Sequence, residues 1–261
     1  QRQMCIRDRF YAYDKNERGD NVKLSKFWIW NEENERLTFA ANYLEHKGYK
    51  EVKNLAECDF ALLPVPTKKC MLDALGNKFA LYGGGKYENG INYMNNENYV
   101  LKNAFLTAEG AVTTLETESN DSLLGKSILI IGYGRIAKAL HRLLSAYGCR
   151  ITVCSRSPES AQLCTFYGAE HIYFSELKCK NNYDIIINTV PHIVLTEPEL
   201  KAVRNGVIIL DLASFPGGVD TLVASSLNLK VINGRGMPSK FTVKAAGEAL
   251  GCAADEIIRQ L

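Results

Sequence analysis

The chain is expected to adopt an α/β fold, a Rossmann-type doubly wound parallel sheet preceded by a smaller N-terminal α/β domain. Three observations predict it. Apolar strand-like runs alternate with stretches of helical periodicity along most of the chain. One such run enters Gly132-x-Gly134-x-x-Ala137 at the start of a helix. At 261 residues, with 46% hydrophobic and 23% charged, the chain is long and apolar enough for two buried cores. The expected domains are 10–119 and 120–261, and residues 1–9 read as a non-native scar or tail outside the fold.

The elements follow in order. Phe27-Trp28-Ile29-Trp30 reads as a strand. Asn31 or Asn34 caps a helix over Glu35 to Lys47, in which Leu37, Ala40, Ala41 and Leu44 recur at helical spacing and which Gly48 ends. Glu51-Val52, Phe60 to Leu63 and Phe79 to Tyr82 read as short parallel strands, and the Asn-rich stretch Asn89 to Asn98 as a surface loop. A helix is expected from about Tyr99 to Glu116, broken by Glu118 to Ser122. The second α/β unit starts at Lys126 with a strand, the glycine turn, a helix to Tyr147 and a strand over Arg150 to Cys154. Asp184 to Thr189, Val207 to Leu212 and Lys230 to Ile232 supply further strands, and Phe241 to Gln260 a closing helix expected to pack along the second domain.

Composition narrows the partners. A formal charge of +2 with scattered basic residues offers no footprint for nucleic acid, and no apolar run approaches the ~20 residues of a membrane span. The eight cysteines show no Cys-x-x-Cys pair and no metal-ligand spacing from a histidine, so no metal is expected and the thiols read as reduced core residues. With no apolar secretory segment at the start, a cytoplasmic protein acting on small molecules is expected.

The glycine turn carries the chemistry. Gly132 permits the tight bend, Gly134 lets the backbone approach a pyrophosphate, and Ala137 lets the helix pack close on the strand. Arg135 and Ile136 begin the helix whose N–H groups would face the phosphates. At the end of the next strand, where an NAD site carries a carboxylate, stand Ser155, Arg156 and Ser157. Arg156 can pair with a 2′-phosphate and both serines can donate to it, so NADP is expected, with NAD as the alternative. Thr189, Val190 and Pro191, followed by His192, and then Asp211, Ala213 and Ser214, end later strands where the nicotinamide half would lie. A plain structural turn is the alternative reading of the Pro-Gly-Gly segment at 216–218.

The runs Asp184 to Pro191, Asp211-Leu-Ala-Ser-Phe-Pro-Gly-Gly218 with Asp220, and Gly234-Arg-Gly-Met-Pro238 resemble the dipicolinate synthase A family. Leu63 to Thr67, Gly83-Gly84-Gly85 and Thr107 to Gly110 fit its N-terminal domain, so the resemblance spans Phe27 to Gly247. It implies oxidation of a dihydrodipicolinate-type ring to dipicolinate in spore formation, a nicotinamide cofactor, and dipicolinate synthase B, a separate flavoprotein-like chain, as partner. A dicarboxylate held flat in a cleft between the domains needs charge-assisted donors. Arg235, Lys240 and Lys244 are expected to supply them from the second domain, facing Thr67 and Thr107 of the first. Glu109 is the candidate base and His192 a candidate proton carrier, each with a purely structural role as the alternative. Homo-oligomerisation is left open.

Two other functions compete. A 2-hydroxyacid dehydrogenase wants an Arg after its fifth strand and a Pro-His pair late in the chain, where this chain has Ala213-Ser214-Phe215 and Pro238-Ser239. A non-catalytic NAD(P) sensor would bind nucleotide without turnover.

Overall fold

The computed structural model describes residues 24–30, 34–179 and 182–261. The tail at 1–9 and the Asn31 cap therefore lie outside the described residues. The chain forms two compact units, the first comprising residues up to Val100 together with Val243–Leu261, the second Leu101–Thr242.

In the first unit, β1 (Lys26–Ile29), β2 (Lys50–Glu51), β3 (Phe60–Leu62), β4 (Ala80–Tyr82) and β5 (Gly90–Asn92) form a sheet in the order β2-β1-β3-β4-β5. Every pairing is parallel. β5 falls within the stretch expected to be loop. Its asparagine-rich composition is that of a surface segment, but pairing of Ala80 with Gly90 and Tyr82 with Asn92 makes it the edge of the sheet. Helix α1 (Glu35–His46) is capped by Asn34, whose side chain accepts from the Leu37 N–H at 3.3 Å, and it buries Leu37, Ala40, Ala41 and Leu44. A short helix α2 (Lys69–Ala74) follows β3.

The closing helix corrects the sequence expectation. Numbering helices in chain order, α3 (Glu97–Ser119), α4 (Arg135–Ala146), α5 (Pro158–Phe166), α6 (Glu197–Ala202), α7 (Thr221–Ser226) and α8 (Met237–Phe241) precede α9 (Val243–Ile258). α9 packs on α1 in the first unit, not along the second. The reason is its stripe of small buried residues, Ala246, Gly247, Ala249, Gly251, Ala253 and Ala254. A Cβ on Gly247 would stand 2.5 Å from the Arg36 carbonyl oxygen and one on Gly251 2.8 Å from that of Ala40, so only glycine permits this approach. The boundary expected at 119/120 also moves. From Leu101 onward α3 is part of the second unit, because Ala108, Ala111, Val112 and Leu115 are buried with Ile128, Ile130 and Leu210 in its core.

The second unit is doubly wound. β6 (Ser127–Ile131), β7 (Arg150–Cys154), β8 (Glu170–Ile172), β9 (Ile185–Asn188), β10 (Ile208–Asp211) and β11 (Lys230–Asn233) lie in the order β11-β10-β9-β6-β7-β8, all parallel. Chain direction across the sheet reverses between β6 and β9, so the crevice of such folds opens at their carboxyl ends. Alternate residues of β6 and β9 serve opposite faces. Ile128, Ile130, Ile185 and Ile187 join one core, and Leu129, Ile131 and Ile186 the other.

Among the described residues the cysteines are free thiols, no helix is long and apolar enough to cross a membrane, and no cluster of metal-ligating side chains occurs. Burial pushes the Cys154 thiol up to about 12, which keeps it protonated and unreactive.

Candidate nucleotide site

Gly132 follows β6 at φ +91°, a left-handed conformation that a side chain resists, and its Cβ would stand 2.5 Å from Thr189 Oγ1. That threonine, at the end of β9, donates to the Ile131 carbonyl at 2.8 Å and pins the two strand ends together. Gly134 caps α4, and a Cβ placed there would meet no atom within 4 Å, so the space over the first turn of α4 is open. Ala137 is fully buried, Ile136 half-buried and Arg135 exposed. A 12-residue helix that begins beside open space at Gly134 is a ready anion site, and these residues fit a dinucleotide.

Tyr133, between the two glycines, points into the protein rather than toward a ligand. It is buried, and its hydroxyl lies 2.8 Å from Nδ1 of buried His141 on α4, eight residues on. Burial pushes the Tyr133 phenol up to about 12 and pushes His141 down, so a neutral imidazole meets a protonated phenol.

At the end of β7 stand Ser155, Arg156 and Ser157, without a carboxylate among them. Arg156 is exposed, and among the described residues its guanidinium forms no hydrogen bond or ion pair. The serines are not both free donors, contrary to the sequence reading. Ser157 caps α5, with Oγ accepting from the Ser160 N–H at 3.1 Å and lying 3.0 Å from Ser160 Oγ. Ser155 is buried, and its Oγ lies 2.9 Å from His171 Nε2 on β8.

The loops after β9 and β10 are locked to each other. Asn188, fully buried at the end of β9, donates to Asp211 Oδ1 at 2.8 Å and to the Val190 carbonyl at 3.0 Å, and accepts from the Val190 N–H at 3.1 Å. Asp211 also accepts from the Ala213 N–H at 3.2 Å and the Gly218 N–H at 3.0 Å. Arg235, in the loop after β11, donates from Nε to the Ala213 carbonyl at 3.0 Å and from Nη2 to the Pro216 carbonyl at 2.9 Å. Its guanidinium carbon lies 5.9 Å from the Phe215 ring centroid. Gly217 has φ +93°, and a Cβ on it would press within 2.6 Å of Asp211 Oδ2.

This geometry corrects several expected roles. Asp211 and Arg235 both brace the 213–218 loop, each through hydrogen bonds within the fold. Ser214 and Pro191 are exposed, Val190 is half-buried and Ala213 buried. Thr67 cannot donate to a substrate, since its hydroxyl donates to the Pro64 carbonyl at 2.6 Å and accepts from the Gly83 N–H at 2.8 Å. The buried Thr107 hydroxyl donates to the Asn103 carbonyl one turn back at 2.7 Å. The expected division between domains is reversed for two residues, because Lys244, on α9, falls in the first unit and Thr107, on α3, in the second. Lys244 stands 4.0 Å from Glu248, exposed. Lys240 and His192 are exposed and Glu109 is half-buried. Asn188 and His171 were not among the candidates. The signal for Asn188 was available, a lone amide closing an otherwise wholly apolar strand, Ile185-Ile186-Ile187.

Comparison with known proteins agrees with the fold. Residues 99–218 match the NAD binding domain of D-isomer specific 2-hydroxyacid dehydrogenases. The chain is 27% identical over 166 residues to dipicolinate synthase A of Bacillus subtilis (strain 168), covering 63% of this chain and 56% of that protein. It is 36% identical over 140 residues to a shikimate dehydrogenase (NADP(+)) of Geobacillus kaustophilus, covering 49% and 51%. The chain thus spans about half the length of these curated relatives. The crystal structure of dipicolinate synthase A from Bacillus halodurans superposes with a TM-score of 0.80 at 19% identity, covering 91% of this chain and 98% of that one. The apo D-lactate dehydrogenase of Escherichia coli gives 0.58 at 15% identity, covering 89% and 95%. The chain is therefore similar to dipicolinate synthase A, and its second unit carries a nucleotide-binding domain of the 2-hydroxyacid dehydrogenase type.

Proposed function

We propose that this chain is an NADP-dependent oxidoreductase of the dipicolinate synthase A type, cytoplasmic and active in spore formation. It would oxidise a dihydrodipicolinate-type ring to pyridine-2,6-dicarboxylate, with dipicolinate synthase B as partner. The observation that carries the reading is the open first turn of α4 next to an unengaged arginine where an NAD site has a carboxylate. Similarity to dipicolinate synthase A supports the substrate, and similarity to an NADP(+) shikimate dehydrogenase supports the cofactor.

A nicotinamide cofactor, when bound, supplies a hydride acceptor. Gly132, Gly134 and the N–H groups of α4 would hold its diphosphate and Arg156 its 2′-phosphate. Aromatisation of the ring releases one hydride and one proton, so the chain must also supply a proton acceptor. Glu109 and His192 are the candidates whose side chains are not committed to internal hydrogen bonds among the described residues. Lys240, exposed after β11, is left as the cation for a carboxylate, since Arg235 is engaged with its own loop.

The 2-hydroxyacid reading has the domain match behind it. Against it, the position after β10 is occupied by the braced Ala213-Ser214-Phe215 segment.

Calorimetry with NADP and NAD, followed by absorbance of reduced nicotinamide on adding the dihydro-ring with and without dipicolinate synthase B, tests the proposal. Tighter NADP binding and dipicolinate formation are expected. Binding without turnover in the presence of that partner would establish the sensor, and absence of binding by either nucleotide would overturn the reading altogether.

A further inference from the structure

A serine hydroxyl has one proton to give. If Ser155 donates it to His171 Nε2, none is left for an anion. If Nε2 carries the ring proton and donates to Oγ, the Ser155 proton is released for another acceptor. The 2.9 Å separation fits either direction, so the tautomer of His171 decides whether the end of β7 presents a donor. Ser157 cannot take over, because its oxygen caps α5 and its proton has Ser160 Oγ as partner. Arg156 stands between the two serines with its guanidinium unengaged by the described residues. The imidazole is held edge-on against the Tyr173 ring, with centroids 4.8 Å apart and planes at 82°, and its residue pairs in register with Val153 of β7.

We propose that His171 is a positioning residue for nucleotide selectivity. It keeps its proton on Nε2 and donates to Ser155, so that the Ser155 hydroxyl and the Arg156 guanidinium together receive the 2′-phosphate of NADP. The inference rests on the NADP reading above and adds to it a residue from the neighbouring strand that never touches the nucleotide.

The test uses the full chain and compares dissociation constants for NADP and NAD. Wild type is expected to prefer NADP. H171L and S155A should each weaken NADP by about tenfold, the loss of one charge-assisted hydrogen bond, and leave NAD within about twofold. The double variant should be no worse than either single one. H171Q, whose amide N–H can stand where Nε2–H stands, should keep the preference. Nitrogen-15 spectra of wild type should show His171 protonated on Nε2, and this measurement stands even if H171L does not fold. An Nδ1-protonated ring accepting from Ser155 would overturn the inference, as would H171L weakening both nucleotides equally, the behaviour of a mere tie between strands. NADP preference that is lost in R156A but retained in H171L sinks the role of His171 alone. Wild type that binds both nucleotides equally sinks the NADP reading and this inference with it.

Discussion

The loops after β7 and β10 leave the same end of the same parallel sheet, and an arginine stands at each, Arg156 within the first and Arg235 reaching the second from the loop after β11. They use these groups in opposite ways. After β10, Asp211 takes three hydrogen bonds, from Asn188, Ala213 and Gly218, and the arginine that arrives from the β11 loop closes the turn from the other side. After β7, the arginine is exposed and bonds to none of the described residues. A charged side chain at a strand end is evidence for a ligand only when the fold has not already matched its donors. By that standard the β7 end keeps an unmatched donor, as the proposed NADP selectivity requires, and the β10 end is braced from within.

The contrast can be broken most directly at Asp211. Asp211→Ala leaves a buried amide and two backbone N–H groups without their acceptor, and should lower the unfolding free energy by about 3 kcal/mol or more in urea titrations. A loss below about 1 kcal/mol would mean that the loop is not braced as described. Arg156→Ala should do the reverse. NADP binding should weaken by about 10- to 100-fold, with NAD binding and the melting temperature unchanged. Equal loss of both nucleotides would remove the selectivity assigned to the β7 end.

Arg235→Ala sharpens the comparison from the other side. Removing two hydrogen bonds from a half-buried guanidinium should cost about 1 kcal/mol of stability while leaving NADP affinity intact. An unchanged unfolding free energy together with a raised substrate KM would return Arg235 to the role of carboxylate ligand. The smallest effect concerns the pair beneath the glycine turn. Burial holds His141 below its ordinary value of 6.5, so between the folded value and 6.5 the unfolded chain takes up a proton that the native chain refuses. This contribution is fully present above about pH 6.5 and is lost as pH falls toward the folded value. His141→Gln should therefore flatten the dependence of unfolding free energy on pH below 6.5 by less than about 1 kcal/mol, measured by urea titration at pH 7 and pH 5.

Much of the second unit was legible in the chain because its signals are local. The apolar run before Gly132 and the strand over Arg150–Cys154 are each written within a few residues, and the sheet pairs them in parallel. The N-terminal helix and its cap were legible for the same reason. The Asn-rich stretch hid β5, since edge strands need little apolar character and their pairing depends on a neighbour elsewhere in the chain. The placement of α9 was missed although its small-residue stripe is plain, because that stripe says a close partner exists without saying which.

Sequence alone determined the class of fold, the nucleotide turn and the positions of the residues at each strand end, all of them consequences of backbone conformation and short-range periodicity. Tertiary structure alone decided which of those side chains still have donors to offer. Thr67, Thr107, Ser157 and Arg235 bond to the backbone and Asp211 to the backbone and Asn188, whereas Arg156 bonds to none of the described residues. The physical reason is that a polar group drawn into the interior must find a partner, and where sheet pairing and loop closure bring distant segments together they choose that partner.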